Sequence, residues 1–169
     1  MQHWFLEQMA MYTAYHQDPK NCATHYFGVP LILFALLITA SLVRFGLWGP
    51  IPITLATLLL MGLLVFYFAT LPIIGLLSAA IHIPLLWFAD FISLSPRSDV
   101  WIIIGVCFTG GWFLQFIGHI FEARRPALFD NILQVFIAPA FLVAEALFTA
   151  GCLSELNSDL KKRSAKYLP

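Results

Sequence analysis

The sequence predicts an all-α fold, a polytopic bundle of membrane-spanning helices that forms a single domain over residues 1–169. Hydrophobic residues make up 60% of the chain and charged residues only 11%, a balance far outside that of an ordinary soluble domain. The apolar runs are continuous over about 20 residues, which is the length of a spanning helix and differs from the alternating pattern of a barrel strand. The chain is therefore expected to be an integral membrane protein.

The charge balance argues against nucleic acid as a partner. The formal net charge is zero, with nine basic and nine acidic residues, so no global basic field is predicted. We expect membrane lipid to surround the protein, and these patterns do not determine the oligomeric state. The three cysteines, Cys22, Cys107 and Cys152, are widely spaced and are interpreted as structural thiols.

The N-terminal segment, residues 1–28, is predicted to lie on the membrane surface. It lacks the continuous apolar core of a signal peptide, and its bulky groups recur at roughly helical spacing among polar residues, as in an interfacial amphipathic helix. The Asp18-Pro19 step is expected to end this helix. Asn21 is predicted to cap a short turn that reaches His25, and Gly28-Val29-Pro30 is expected to break the chain before it enters the membrane.

Residues 29–121 are predicted to form four spanning helices, each close to the ~20 residues that a crossing needs. The four apolar runs are 29–48, 51–70, 71–92 and 100–121. Short separators such as Gly49-Pro50 and Pro72 leave neighbouring helices antiparallel.

Residues 126–152 form a further apolar segment that polar residues and Pro139 interrupt. Arg124 and Arg125 precede it and the basic tail 153–169 follows it, so the positive-inside rule places both groups on the cytoplasmic side. We therefore favour a re-entrant segment or broken hairpin at Pro139 with both termini cytoplasmic, and a single tilted crossing is the alternative. The membrane would be the inner membrane in a bacterium and the endoplasmic reticulum in a eukaryote.

Four histidines lie within or beside the apolar stretches, where an imidazole needs a partner. Because successive spans alternate in direction, His16 and His25 are expected on the same cytoplasmic face as His119. His82 lies about ten residues beyond Pro72, which places it roughly 15 Å below that face at 1.5 Å per residue. Imidazole is a common ligand of iron, copper and zinc, so a metal site is predicted at the cytoplasmic face.

The residues around His119 extend this site. Helical spacing puts Gln115, His119 and Glu122 on one face, where Glu122 would bind the metal or hold the second nitrogen of the imidazole. The alternative is a set of interfacial histidines with a local ion pair at a helix end. For function, the alternatives are a metal- or haem-binding carrier without turnover and a small structural or transport protein.

Two blocks of residues resemble the signatures of a known family. The first block contains Tyr15-His16, Asn21, His25, Gly28 and Pro30, and the second contains Trp112, Gln115, Gly118-His119, Glu122 and Pro126-Ala127-Leu128. They look like the signature blocks of the family of the fungal endoplasmic-reticulum 2-hydroxy fatty acid dioxygenase, which acts in phytosphingosine breakdown. The likeness extends from the N-terminal helix to about Glu145.

The resemblance implies Fe(II)-dependent α-oxidation, in which a long-chain 2-hydroxy fatty acid reacts with O₂ to give a fatty acid one carbon shorter. The iron ligands that it implies are His16, His25, His82 and His119. Glu122 and Gln115 would orient the ligands or the substrate. Arg124 or Arg125 would pair with the substrate carboxylate, the alternative for both being a positive-inside anchor.

Overall fold

The structure is a computed structural model that describes residues 1–48 and 51–168. Within these residues the helices are α1 (Gln2–Ala14), α2 (Pro19–Ser41), α3 (Leu55–Thr70), α4 (Pro72–Ile92), α5 (Arg97–Phe121), α6 (Gln134–Thr149) and α7 (Ser154–Ser164). An antiparallel hairpin of β1 (Arg44–Trp48) and β2 (Ile51–Thr54) joins α2 to α3, and short 3-10 turns occur at Ala127–Phe129 and Ala165–Tyr167. The expected helical bundle is confirmed, with the hairpin as an addition.

Three helices, α2, α4 and α5, are long and apolar enough to cross a bilayer, as expected of a membrane protein. The second predicted span falls short, because residues 51–54 form a strand and α3 has only 16 residues. The first predicted span also ends early, at Ser41. Aromatic and β-branched residues on both sides of a turn signal favour a hairpin here. The turn signal itself, Gly49-Pro50, lies outside the described residues.

Helix α2 begins ten residues before the expected entry into the membrane, and it runs through Gly28-Val29-Pro30 without interruption. The predicted short turn and the break are therefore wrong. Asp18 is the N-cap in place of Asn21, since its carboxylate accepts a hydrogen bond from the Lys20 backbone N–H at 2.7 Å, and Pro19 occupies the first turn, where proline is tolerated. His25 consequently lies on a rigid helix.

Helices α2 and α5 pack closely because glycines line their contact. A Cβ atom added to Gly118 would lie 2.5 Å from the Asn21 Oδ1 atom, and one added to Gly111 would lie 2.9 Å from the Gly28 carbonyl oxygen. Small residues of this kind let two membrane helices approach without a side chain between them. The close approach brings the beginning of α2 against the end of α5.

Helix α6 is continuous through Pro139, so the break predicted there is wrong. Its first turn contacts α1 through the Gln134 Nε2 atom, which donates to Gln8 Oε1 at 2.9 Å. Its last turn shares a cavity with Pro19 and Cys22 at the start of α2. The first turn of α6 therefore lies beside the middle of α1, and its last turn lies beside the start of α2.

The basic tail forms α7 and packs against α1. Arg163 forms an ion pair with Glu7 at 3.0 Å, and Lys166 and the Tyr167 hydroxyl bind the same carboxylate. Hydrogen bonds from Lys166, Arg163 and Tyr167 lower the pKa of Glu7 to about 2. The tail is thus attached to the N-terminal helix.

Candidate metal centre

Three buried histidines, His16, His25 and His119, meet at the contact between α2 and α5. Their ligand nitrogens all lie within 4.8 Å of one another. His16 lies in the loop between α1 and α2, His25 in the second turn of α2, and His119 in the last turn of α5. The three histidines that were expected to share a face do lie together.

The hydrogen bonds of His16 and His25 assign a role to each ring nitrogen. His16 Nδ1 lies 2.7 Å from the Tyr12 carbonyl oxygen, and His25 Nδ1 lies 2.9 Å from the Asn21 carbonyl oxygen. Because a carbonyl only accepts, each Nδ1 atom carries the proton and each Nε2 atom presents a lone pair. The two Nε2 atoms are 3.0 Å apart, a separation at which two lone pairs repel unless a cation lies between them.

This arrangement suits a transition-metal ion. Histidine ligands usually donate their second N–H to a carbonyl or carboxylate, as His16 and His25 do here. Metal–nitrogen bonds of about 2.0–2.1 Å allow one ion to reach nitrogens at this spacing. The Nδ1 atom of His119 is buried without a hydrogen-bond partner, so this ring also has an unused nitrogen.

His16 is held neutral by its surroundings. Burial and the neighbouring His25 lower the pKa of His16 well below its usual value. Tyr12, which the sequence reasoning did not include, stacks on His16 with ring centroids 3.9 Å apart, and burial raises the pKa of its phenol. Its position four residues before His16 was the available signal, because the sequence predicts a helix up to Asp18-Pro19 and residues at that spacing share a helix face. A neutral imidazole is the form that binds a metal.

Glu122 holds the loop that carries His16. Its carboxylate accepts hydrogen bonds from the backbone N–H groups of Gln17 and Asp18, both at 2.9 Å, and from Asn21 Nδ2 at 3.0 Å. These donors lie at the start of α2, where a negative charge also interacts favourably with the helix dipole. Glu122 therefore positions His16 through the backbone, and its described hydrogen bonds do not include His119.

Gln115 lies one turn before His119 and is buried. Its Nε2 atom has no hydrogen-bond partner, and the side chain lines the cavity that reaches the histidines. The Nε2 atom packs against Gly28, so the amide can donate to a ligand in the cavity only after the side chain rotates. The role of Gln115 in orienting the substrate stays a prediction, and this geometry is compatible with it.

Arg124 does not line that cavity. Its guanidinium donates to the Ala14 carbonyl oxygen at 3.1 Å and to the Tyr167 carbonyl oxygen at 3.0 Å, and it lies 3.4 Å from the centre of the Tyr15 ring. These contacts join the end of α1 to the C-terminal tail. Arg125 forms an ion pair with Asp130, and neither residue is in the described lining of the cavity. The pairing of either arginine with a substrate carboxylate stays a prediction.

His82 lies on α4 and is not brought to the other three histidines. Its Nδ1 atom faces the Ser78 carbonyl oxygen at 2.7 Å, and the ring is buried. It is absent from the group of nitrogens within 4.8 Å and from the described lining of the cavity. The structure therefore supports a site of three histidines.

An elongated cavity of about 310 Å³ extends from the three histidines between α2, α5 and α6; we call it the apolar cavity. Apolar side chains form most of its wall, among them Val29, Ile32, Leu33, Leu36, Phe108, Val135 and Ala138. Leu36 lies eleven residues after His25, about 16 Å along the helix at 1.5 Å per residue. The cavity thus joins a polar end at the histidines to a long hydrocarbon wall.

Comparison with known proteins agrees with the two sequence blocks. A family model described as "2-hydroxy-palmitic acid dioxygenase Mpo1-like" matches residues 2–150. A curated relative, the 2-hydroxy-palmitic acid dioxygenase MPO1 of Saccharomyces cerevisiae, is 32% identical over 158 residues, which cover 91% of this chain and 86% of the relative. No solved structure matches the chain.

Proposed function

The chain belongs to the Mpo1-like family, and from this premise we propose that it is an Fe(II)-dependent dioxygenase that converts long-chain 2-hydroxy fatty acids into fatty acids one carbon shorter. The main support is one arrangement, a buried group of three histidines that opens into an elongated apolar cavity. The yeast relative is named for 2-hydroxy-palmitic acid, and the proposed substrate is of the same chemical class.

The proposed reaction balances with O₂ as the only oxidant. A 2-hydroxy acid and O₂ give the acid one carbon shorter, CO₂ and water. The bond between the carbinol carbon and the carboxyl carbon breaks, and oxygen is reduced fully. The carbinol carbon supplies three of the electrons as it becomes a carboxyl group, and the departing carboxyl carbon supplies the fourth.

The residues proposed to hold the iron are His16, His25 and His119. The facing Nε2 atoms of the first two and the unpartnered Nδ1 of the third support the assignment. When bound, Fe(II) supplies the redox chemistry with O₂, and three imidazole ligands leave positions open for substrate and oxygen. His82 is left out of the proposed site.

The polar end of the substrate is proposed to meet Gln115. The described lining of the apolar cavity contains no lysine or arginine, so no side-chain cation there can neutralise a substrate carboxylate. The Gln115 amide N–H has no partner in the protein, and after rotation of the side chain it would donate a hydrogen bond to the carboxylate or the 2-hydroxyl. Glu122 keeps His16 in place during turnover through its hydrogen bonds to the loop.

The hydrocarbon tail is proposed to lie in the apolar cavity along α2 and α5. Each methylene removed from water contributes about 0.8 kcal/mol, so a long chain binds much more strongly than a short one. Leu36 is 44% exposed at the far end of the cavity, on the surface of an apolar helix. A lipid can therefore enter sideways from the bilayer.

The position of the site also supports cytoplasmic termini. Arg124 follows His119 closely in the chain, and its guanidinium donates to the Tyr167 carbonyl oxygen. The basic tail therefore lies at the same end of the bundle as the histidines. From the positive-inside rule we therefore infer that the site and both termini face the cytoplasm.

The spacing of the histidines argues against the haem-carrier alternative. Two axial haem ligands lie on opposite faces of the porphyrin, so the ring plane would have to pass between them. The Nε2 atoms of His16 and His25 are only 3.0 Å apart. This separation is compatible with two ligands of one non-haem ion.

The test is to purify the protein in detergent, measure bound iron, and incubate it with 2-hydroxypalmitate and O₂. We expect non-haem iron, a fifteen-carbon acid as product, and no reaction with palmitate, which lacks the 2-hydroxyl. A preparation that holds iron but leaves 2-hydroxypalmitate unchanged would contradict the proposed reaction, and one that holds no metal would contradict the proposed site.

A further inference from the structure

A second cavity, of about 380 Å³, meets the three-histidine group from the other side of His16. Its walls come from the end of α1 and the loop after it, the start of α2, the end of α6 and the middle of α7. We call it the polar cavity. His16 lines both cavities, whereas His25 and His119 line only the apolar one within the described lining.

The polar cavity has a different chemical character. Charged side chains lie on its wall, with Glu145 at the end of α6 and Lys161 on α7, together with neutral polar groups such as Gln17 and Asn157. The Glu145 carboxylate forms no hydrogen bond or ion pair with any described residue, although its side chain is partly buried in an otherwise apolar helix. Partial burial of a carboxylate without a partner costs free energy, and water or a cation in the cavity would reduce that cost.

The two cavities cannot admit the same species. A hydrated divalent ion would lose its water in the apolar cavity before it reached the imidazoles, and the desolvation cost of an ion in hydrocarbon is prohibitive. The polar cavity avoids this cost because it contains oxygen ligands and opens beside the basic tail. His16, which lies on its wall, is one of the three proposed ligands.

We propose that the polar cavity is the aqueous entrance of the metal centre, through which a hydrated divalent cation reaches His16, His25 and His119. The Glu145 carboxylate attracts the ion and the Lys161 ammonium opposes it. The lipid and the metal ion thus arrive by separate routes that meet at His16. This inference rests on the proposed metal site.

The test measures the rate at which the metal-free full-length protein in detergent binds Co²⁺, followed by the visible absorption of the bound ion. Glu145→Gln is expected to slow binding by about 3- to 10-fold at low salt, and Lys161→Gln to accelerate it by a similar factor. Both effects should disappear at about 1 M salt, where charges are screened within about 3 Å. The amount of cobalt bound at equilibrium should be unchanged.

Lys162→Gln is the matched control. It removes the same charge one residue further along α7, and Lys162 does not line the polar cavity. We expect its rate to equal that of the unaltered protein. If Lys162→Gln accelerates binding as much as Lys161→Gln, the general charge of the tail determines the rate and the entrance is refuted.

A pair of steric variants provides an independent measurement. Ala23→Phe narrows the polar cavity and Leu36→Trp narrows the far end of the apolar cavity. Slower cobalt binding in Ala23→Phe alone supports the entrance, whereas slower binding in Leu36→Trp alone overturns it. If the unaltered protein binds no cobalt, the metal site itself is wrong and the entrance with it. If the unaltered protein binds cobalt and no variant changes the binding rate, the entrance is refuted but the metal site is not.

Discussion

The Nε2 atoms of His16 and His25 face each other at 3.0 Å, and the Nδ1 atom of each is held by a backbone carbonyl four residues earlier in the chain. The same contact recurs at His82, whose Nδ1 atom faces the Ser78 carbonyl oxygen. All three rings are therefore oriented by their own backbone. Only His16 and His25 converge with His119. These three rings are therefore the ones that can share an ion.

Substituting the histidines singly should separate the three proposed ligands from His82. We expect His16→Ala, His25→Ala and His119→Ala each to reduce metal affinity by more than about 100-fold, beyond the effect typical of residues that only orient a ligand. His82→Ala should retain its metal. Elemental analysis of the purified variants measures this, and equal metal content in all four would contradict a three-histidine site.

Removing the Glu122 carboxylate should weaken the site without removing a ligand. Glu122→Ala leaves the N–H groups of Gln17 and Asp18 without their acceptor, so the loop that carries His16 becomes less ordered. A loss of about 10- to 100-fold in metal affinity is expected. Glu122→Gln, which keeps one oxygen acceptor, should restore part of it. Titration with Co²⁺ gives both affinities, and an unchanged affinity in Glu122→Ala would show that the loop is held by other contacts.

A methyl group at Gly118 should separate α2 from α5. Gly118→Ala places a carbon against Asn21 Oδ1, and overpacking of this kind costs about 1–3 kcal/mol. We expect a lower melting temperature together with weaker metal binding. Gly110→Ala on the same helix is the control, because a Cβ atom there meets nothing within 4 Å, and it should be at least as stable as the unaltered protein. If the two variants are equally stable, the glycine at position 118 is not needed for close packing of α2 against α5, and the prediction is wrong.

Arg124 should contribute to stability and not to substrate binding. Its guanidinium is occupied by the Ala14 and Tyr167 carbonyls and by the Tyr15 ring. Arg124→Ala is therefore expected to lower the melting temperature by a few degrees and to leave the KM for 2-hydroxypalmitate within about 2-fold, since the cost falls on packing and hydrogen bonds. Arg125→Ala, at an exposed ion pair, should change neither. A large rise in KM in Arg124→Ala alone would restore the predicted pairing with the substrate carboxylate.

Acid should release the C-terminal helix as Glu7 becomes protonated. The pKa of Glu7 is lowered from 4.5 to about 2 in the folded protein, so its contribution to stability is complete above pH 4.5 and is lost as the pH falls towards 2. Proteolysis of the tail with an acid-active protease should accelerate over this range. In Glu7→Gln the tail should be cleaved readily at pH 5 already, with little further change below it. A pH profile shared by the two proteins would assign the release to other carboxylates.

Much of the fold and part of the site could be predicted from the sequence. Composition and the length of the apolar runs determine a helical membrane protein, because burial in lipid depends on averages over about 20 residues and not on any single contact. Four alternating spans predict the convergence of His16, His25 and His119, and the structure brings the three together although, within the described residues, only α2, α4 and α5 are long enough to cross. The family blocks connect these same residues to a known chemistry.

Only the tertiary structure decided which predicted groups share the site. Local signals at Gly28-Val29-Pro30 favoured a break. In the structure, α2 is uninterrupted there and packs against α5. The partners of Glu122 and Arg124, and the separation of His82 from the other histidines, depend on helix rotation and on distances of a few ångströms between residues far apart in sequence. Spacing along one helix shows which side chains share a face, but it does not determine where the neighbouring helix lies.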